Sequence, residues 1–208
     1  MTQPLDRKAQ ISNDQLSELD VENGEFWVDN PFKMPENGDN LSAYERNRLY
    51  LNAGNLDFVN ASFASACDID SDSRTAVAMD YDNDGDEDLL VGNVGGGPMR
   101  LFRNNLPVQN SIKIRLRGTE SNRQGIGSRL TLSVGGKKIV RDLFPANGFM
   151  GSGPSELVIG LGQAESVDEI SIRWPTGKSQ AVETVNANTA IVITEGSKEI
   201  ESKTIDGK

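Results

Sequence analysis

Short runs that alternate between apolar and polar residues dominate the second half of this chain. Ile112-Lys113-Ile114-Arg115-Leu116, Leu130-Thr131-Leu132-Ser133-Val134 and Ile170-Ser171-Ile172-Arg173-Trp174 keep this rhythm, and Ala190-Ile191-Val192-Ile193 is read with them. Successive side chains of a strand point to opposite faces, so such a run buries one face and wets the other. Gly135-Gly136, between the second run and Lys138-Ile139-Val140, is a hairpin signal. Strands this short, roughly 8–15 residues apart and without a helical period, predict an all-β fold. The expected architecture is an antiparallel β-sandwich or barrel-like domain.

The β pattern begins earlier, at Arg48-Leu49-Tyr50-Leu51 and Leu56-Asp57-Phe58-Val59. It continues through Thr75–Met79, Leu89–Val91 and Met99–Arg103. Residues 1–45 are polar and rich in Pro, Asn and Gly, and read as an irregular N-terminal segment. Within it, Ile11–Leu16 is expected to form a short helix, and Phe26-Trp27-Val28 an apolar knot that docks on the main body. The layout expected is 1–45 irregular, 46–108 a repeat-like β region, 109–196 a β domain and 197–208 a frayed, flexible tail.

Between two of the strands lies Asp80-Tyr81-Asp82-Asn83-Asp84-Gly85-Asp86-Glu87-Asp88. Carboxylates at alternate positions, a glycine at the sixth and an acid at the ninth can wrap a hard cation, since calcium takes six to eight oxygen ligands. Asp80, Asp82, Asp84 and Asp88 are the expected side-chain ligands, Asp86 offers its carbonyl, and Gly85 permits the sharp turn. The loop is not an EF-hand, because Val91 stands where the twelfth-position glutamate would be and the flanks are β-like. The cofactor expected is Ca2+, inserted as a strand-to-strand loop. A second acidic run, Asp68-Ile69-Asp70-Ser71-Asp72, lacks the glycine and the ninth acid, and is read as a solvated or outer-shell loop rather than a second site.

Charge supports the emphasis on this region. The chain carries a net −10, and from Asp68 to Asp88 nine acids face one base, a net −8. Nucleic acid is a poor partner for such a chain, because phosphate contacts need basic patches. No apolar stretch of about 18 residues is present, so no membrane span is expected. There is no histidine, which excludes Ser-His-Asp and Cys-His catalysis. The single cysteine, Cys67, allows no intrachain disulfide and is expected to be buried and inert. Met1–Lys8 has no apolar core of a signal peptide.

Two resemblances follow from particular residues. Asn47-Arg48-Leu49-Tyr50-Leu51-Asn52-Ala53-Gly54, Ala76-Val77-Ala78-Met79, the acidic loop and Asp88-Leu89-Leu90-Val91-Gly92-Asn93 resemble one FG-GAP/VCBS-type calcium-binding repeat. Ser121-Asn122-Arg123-Gln124-Gly125-Ile126-Gly127-Ser128-Arg129, Asn147-Gly148-Phe149, Gly160-Leu161-Gly162 and Ile172-Arg173-Trp174-Pro175-Thr176-Gly177 are similar to the ASPIC/UnbV domain. The pairing resembles the arrangement of the cartilage acidic protein family. One departure stands out: the family's His-Phe before Gly-Leu-Gly is Val158-Ile159 here.

The resemblance implies a secreted or cell-surface calcium-binding module for adhesion, with a protein or glycan partner. On that reading the chain is extracellular, periplasmic or at the cell surface when a longer N-terminus precedes it; the first residues alone leave the cytoplasm open. The residues themselves favour a non-catalytic, calcium-stabilised interaction module. An alternative is an accessory protein or small-molecule-binding enzyme of the kind associated with enediyne clusters. Asp142 and Glu156, flanking Phe144 and Phe149, would then be its acid–base candidates. A further alternative is carbohydrate binding through Trp27 and Trp174. A homo-oligomer is compatible with all of these.

Overall fold

The computed structural model describes residues 46–69, 71, 73–93, 98–107, 109–149 and 151–205, with the backbone at 3–4 and 39–40. The expected helix at Ile11–Leu16, the Phe26–Val28 knot and Trp27 lie outside the described residues. Among those described there is no α-helix, and the all-β expectation holds.

The chain divides into two compact units, Met1–Thr75 with Val91–Arg100, and Ala76–Leu90 with Leu101–Lys208. In the first, β1 (Gln3–Pro4) pairs antiparallel with β2 (Asp39–Asn40). β3 (Tyr50–Gly54) and β4 (Asp57–Asn60) form a hairpin in which Leu51 faces Val59. Gly54, Asn55 and Leu56 at its turn all have positive φ. Three further strands, β5 (Ser73–Met79), β6 (Asp88–Asn93) and β7 (Arg100–Phe102), form a sheet in that order, and each has residues in both units.

The second unit is built on ten strands. They are β8 (Asn110–Arg117), β9 (Arg129–Val134), β10 (Lys137–Asp142), β11 (Ala146–Asn147) and β12 (Gly151–Ser152). Then come β13 (Glu156–Gly162), β14 (Ser166–Arg173), β15 (Ser179–Asn186), β16 (Thr189–Thr194) and β17 (Ile200–Thr204). Two four-stranded sheets, β10-β9-β14-β15 and β13-β8-β16-β17, share one core, so this unit is sandwich-like. Alternation does the work: Leu130, Leu132 and Val134 of β9 and Ile112, Ile114 and Leu116 of β8 all point into that core. Full burial of such a side chain stabilises by about 1.5–3 kcal/mol. Trp174 is buried in the same core, 1% exposed, with its indole N–H donated to Gln180 Oε1. It therefore offers no platform to a sugar.

Two features depart from the expected plan. β8 and β16 pair in parallel, Ile114 opposite Ile191, within otherwise antiparallel sheets. Parallel neighbours cannot be joined by a tight hairpin, and here β9 to β15 lie between them in the chain. The segment after Gly196, expected to fray, carries β17, laddered to β16 from Ile200↔Ile193 to Thr204↔Thr189. Ile200 packs against the core and Ile205 is buried, while Glu201 and Lys203 stay exposed, as suits a charged edge strand.

One strand of the sandwich is unusual. Ser111 and Lys113 of β8 lie on the face away from the core, yet both are buried. The acidic loop is what covers Lys113. The sequence reading grouped that loop with residues 46–108; by contacts it belongs to the unit that holds the sandwich.

Candidate metal centre

The loop joins β5 to β6, a strand-to-strand connection. Asn83 and Gly85 both adopt positive φ, at 62° and 87°, which turns the chain sharply in the middle of the acidic run. Asn tolerates this region better than most residues and Gly enters it without penalty. The backbone then folds its own carboxylates inward. Gly85 N–H donates to Asp80 Oδ2 at 3.1 Å, Asp86 N–H to Asp84 Oδ1 at 3.1 Å and Tyr81 N–H to Asp88 Oδ2 at 3.0 Å. Asn104 N–H, just past β7, donates to Asp88 Oδ1 at 2.7 Å.

Three of the expected ligands are brought together. Asp80, Asp82 and Asp88 can each present a carboxylate oxygen within 4.8 Å of the others. Asp80 and Asp88 are buried and Asp82 is exposed, so the group has a closed floor and an open side. Asp84 and Asp86 are not in this trio. Asp84 turns back on the Asp86 amide, and its other oxygen lies 3.9 Å from Arg103.

The decisive detail is on Asp80. Its side chain is fully buried, and Oδ1 has no hydrogen-bond partner. A buried polar atom without a partner is costly, and each one needs an explanation. An all-oxygen set of aspartates with one such atom fits a metal ion, and specifically a hard one. Asp88 is not disqualified by its two amide donors, because each carboxylate oxygen has a second lone pair.

The loop also has cations of its own, which the sequence reading overlooked. Lys113 Nζ lies 2.5 Å from Asp80 Oδ2 and 3.2 Å from Asn83 Oδ1, with Glu156 Oε1 at 4.0 Å. Arg103 Nε lies 2.7 Å from Asp82 Oδ2. Clustered carboxylates repel one another, and these two side chains offset that repulsion from within the chain. No local signal could have found Lys113, which reads as a polar outward position in an alternating strand.

The two carboxylates weighed for acid–base chemistry are both committed to arginines. Asp142 accepts Arg129 Nε and Nη2 at 2.7 and 2.8 Å, and that guanidinium holds its carboxyl below the usual range. Glu156 accepts Arg115 Nε at 2.6 Å. An open cleft of about 650 Å³ runs beside the loop, lined by Asp82, Asn83, Lys113, Arg115 and parts of β16 and β17. Neither Asp142 nor Glu156 lines it. Phe144 and Phe149 are exposed, and Cys67 is buried and free. In the second acidic run, Asp68 is paired with Arg46 and Arg48, while Asp70 and Asp72 lie outside the described residues. Among the described residues no helix is long and apolar enough to cross a membrane.

Outside the loop, the best-formed polar site is a turn held by Glu195. Its carboxylate takes the amides of Thr119, Glu120 and Ser121 and the hydroxyls of Ser121 and Thr176. That turn opens the Ser121–Arg129 motif. Gly125 within it has φ +64°, and a Cβ there would meet Leu116 Cβ at 2.7 Å, so only glycine fits.

No curated protein matches the chain. A family model does: the one described as ASPIC and UnbV matches residues 118–200. The sandwich extends beyond that span at both ends, since β8 precedes it and β17 runs past it. The Glu195-held turn, the Gly125 contact and the strands from β9 to β16 all fall within the stretch that matches the ASPIC/UnbV domain model.

Proposed function

We propose that this chain is a non-catalytic β module that takes calcium into the Asp80–Asp88 loop, where the ion has a structural role. The observation that carries the reading is the buried, partnerless Oδ1 of Asp80 in a carboxylate clustered with Asp82 and Asp88. A cation there would be held by Asp80, Asp82 and Asp88, with backbone carbonyls and water completing the oxygen shell. It would tie the end of β5 to the start of β6. The ion-paired state of Asp142 and Glu156 and the lack of histidine support a binding role over an enzymatic one.

The loop and its flanking strands resemble a single FG-GAP/VCBS repeat, and with the ASPIC/UnbV domain that pairing suits a surface module engaging a protein or glycan. The compartment that fits is extracellular, periplasmic or cell-surface, where calcium sites with Kd of about 10⁻⁴–10⁻³ M are filled.

Thermal unfolding in calcium and in chelator tests the reading. At a hundredfold excess over Kd, calcium should stabilise by about 2.7 kcal/mol. For a chain of this size that raises the midpoint by roughly 5–10 °C. An unchanged midpoint, with no heat of binding in a calcium titration, would overturn it.

A further inference from the structure

Lys113 stands between two core residues, Ile112 and Ile114, and so faces away from the sandwich interior. It is nevertheless only 6% exposed. A lysine is almost never buried to this degree unless its ammonium is paired. The partner is Asp80 Oδ2, the second oxygen of the carboxylate whose Oδ1 is open. One oxygen of Asp80 is thus spent on an internal cation, and the other remains for an external one.

We infer that Lys113 sets the affinity of the loop for its metal, as a built-in counter-cation that neutralises Asp80 in the empty loop and opposes an ion that enters. The inference rests on the calcium reading and deepens it. A carboxylate shares its charge between two oxygens, so an ammonium on Oδ2 draws charge away from Oδ1. An ammonium and a divalent ion on the same buried carboxylate also repel each other through a medium of low dielectric.

Arg103 does not do the same for Asp82. Its side chain is 59% exposed, and it can swing into water when an ion arrives. Lys113 has far less freedom to leave. β8 is locked on both edges, Lys113 opposite Val158 of β13 and Ala190 of β16, and the side chain is 8% exposed. A cation entering the loop must therefore bind against Lys113. The loop stays folded without metal, and metal binding is weakened in return.

Wild type, Lys113→Met and Arg103→Gln should be titrated with calcium chloride by calorimetry, and each melted in chelator and in calcium. Lys113→Met should bind calcium about tenfold or more tightly. Its midpoint in chelator should fall, and its calcium-induced rise should exceed that of wild type. Arg103→Gln should change the affinity by less than about threefold. A Lys113→Met affinity equal to or weaker than wild type would overturn the inference and leave the calcium reading standing. Binding by neither protein would overturn both, whereas binding by the variant alone would support both.

A second readout covers the case in which Lys113→Met folds only with calcium. Wild type is treated with an amine-acylating reagent, and labelling of Lys113 is followed by peptide mass spectrometry. Calcium should raise that labelling severalfold, because the ion loosens the ammonium from Asp80. Unchanged or lower labelling overturns the inference.

Discussion

Glu195 and Asp80 are both buried carboxylates in the same unit, and they are treated in opposite ways. Glu195 Oε2 accepts three consecutive amides at 2.7–2.9 Å, and Oε1 takes two hydroxyls. Nothing is left over for a ligand. Asp80 spends one oxygen on Lys113 and Gly85 and leaves the other without a partner. A carboxylate with every site filled by its own chain is a fastener. One left half filled is where an outside ion can still gain. Burial alone does not separate the two roles, but saturation of the lone pairs does.

The largest effect that sharpens this contrast is expected at Glu195. Glu195→Ala removes the one acceptor shared by the amides of Thr119, Glu120 and Ser121 and empties a buried site, which should cost on the order of 3 kcal/mol even though water reaches part of the turn. Chemical denaturation would measure that loss, and calcium affinity should not change. The same carboxylate gives a pH signature. Burial alone would raise its pKa, but the amides of Ser121 and Thr119, the Ser121 hydroxyl and the Glu120 amide outweigh it, taking it from 4.5 to about 2. A depressed carboxylate contributes stability that is present in full above its unfolded pKa and drains away below it. Wild type should therefore lose stability as pH falls from about 4.5 toward 2, and Glu195→Gln should flatten that part of the curve. A Glu195→Gln profile that tracks wild type between those limits would place the acid sensitivity elsewhere.

Asp80→Asn comes next. The amide side chain can still accept the Gly85 N–H, so the turn has a partner, but the charge facing the cation is gone. The calcium-dependent increment, about 2.7 kcal/mol at a hundredfold excess over Kd, should vanish. Melts in chelator and in calcium should then coincide. Should calcium still raise the midpoint, Asp80 would be a fastener like Glu195 and the contrast would fail.

Why one carboxylate was legible in the sequence and the other was not follows from the range of the interactions. The Asp80–Asp88 loop announces itself because its donors, its turn glycine and its acids lie within nine residues. The alternation of Leu130, Leu132 and Val134 likewise names an inward face from local spacing alone. That spacing says nothing about what covers the other face. Lys113 reads as a solvated position, and only the fold of the loop onto β8 shows that it is buried. The parallel partnership of β8 with β16 and the capture of 119–121 by Glu195 span more than seventy residues of chain, and no local pattern encodes them. Asp84 shows the reverse limit. Its place in the repeating acids suggests a ligand, but a side chain two residues before a backbone amide can accept from that amide instead, and Asp84 does.

The smallest expected effect belongs to the second acidic run. Asp68 has two arginines on one oxygen, Arg46 Nε at 2.7 Å and Arg48 Nη1 at 3.0 Å, and Arg46 Nη2 also reaches its carbonyl. Those hydrogen bonds and charges, with the Arg46 hydrogen bond first, hold its pKa below the ordinary value. The arginines are half exposed, so water competes for both and the pairing contributes little to stability. Asp68→Asn should shift the melting midpoint by no more than about two degrees, in chelator and in calcium alike. Calorimetric titration should return the wild-type calcium affinity. A weakened affinity would mean that alternate acidic spacing binds the ion even where the chain supplies its own guanidinium groups. The open oxygen of Asp80 would then no longer be what distinguishes the loop.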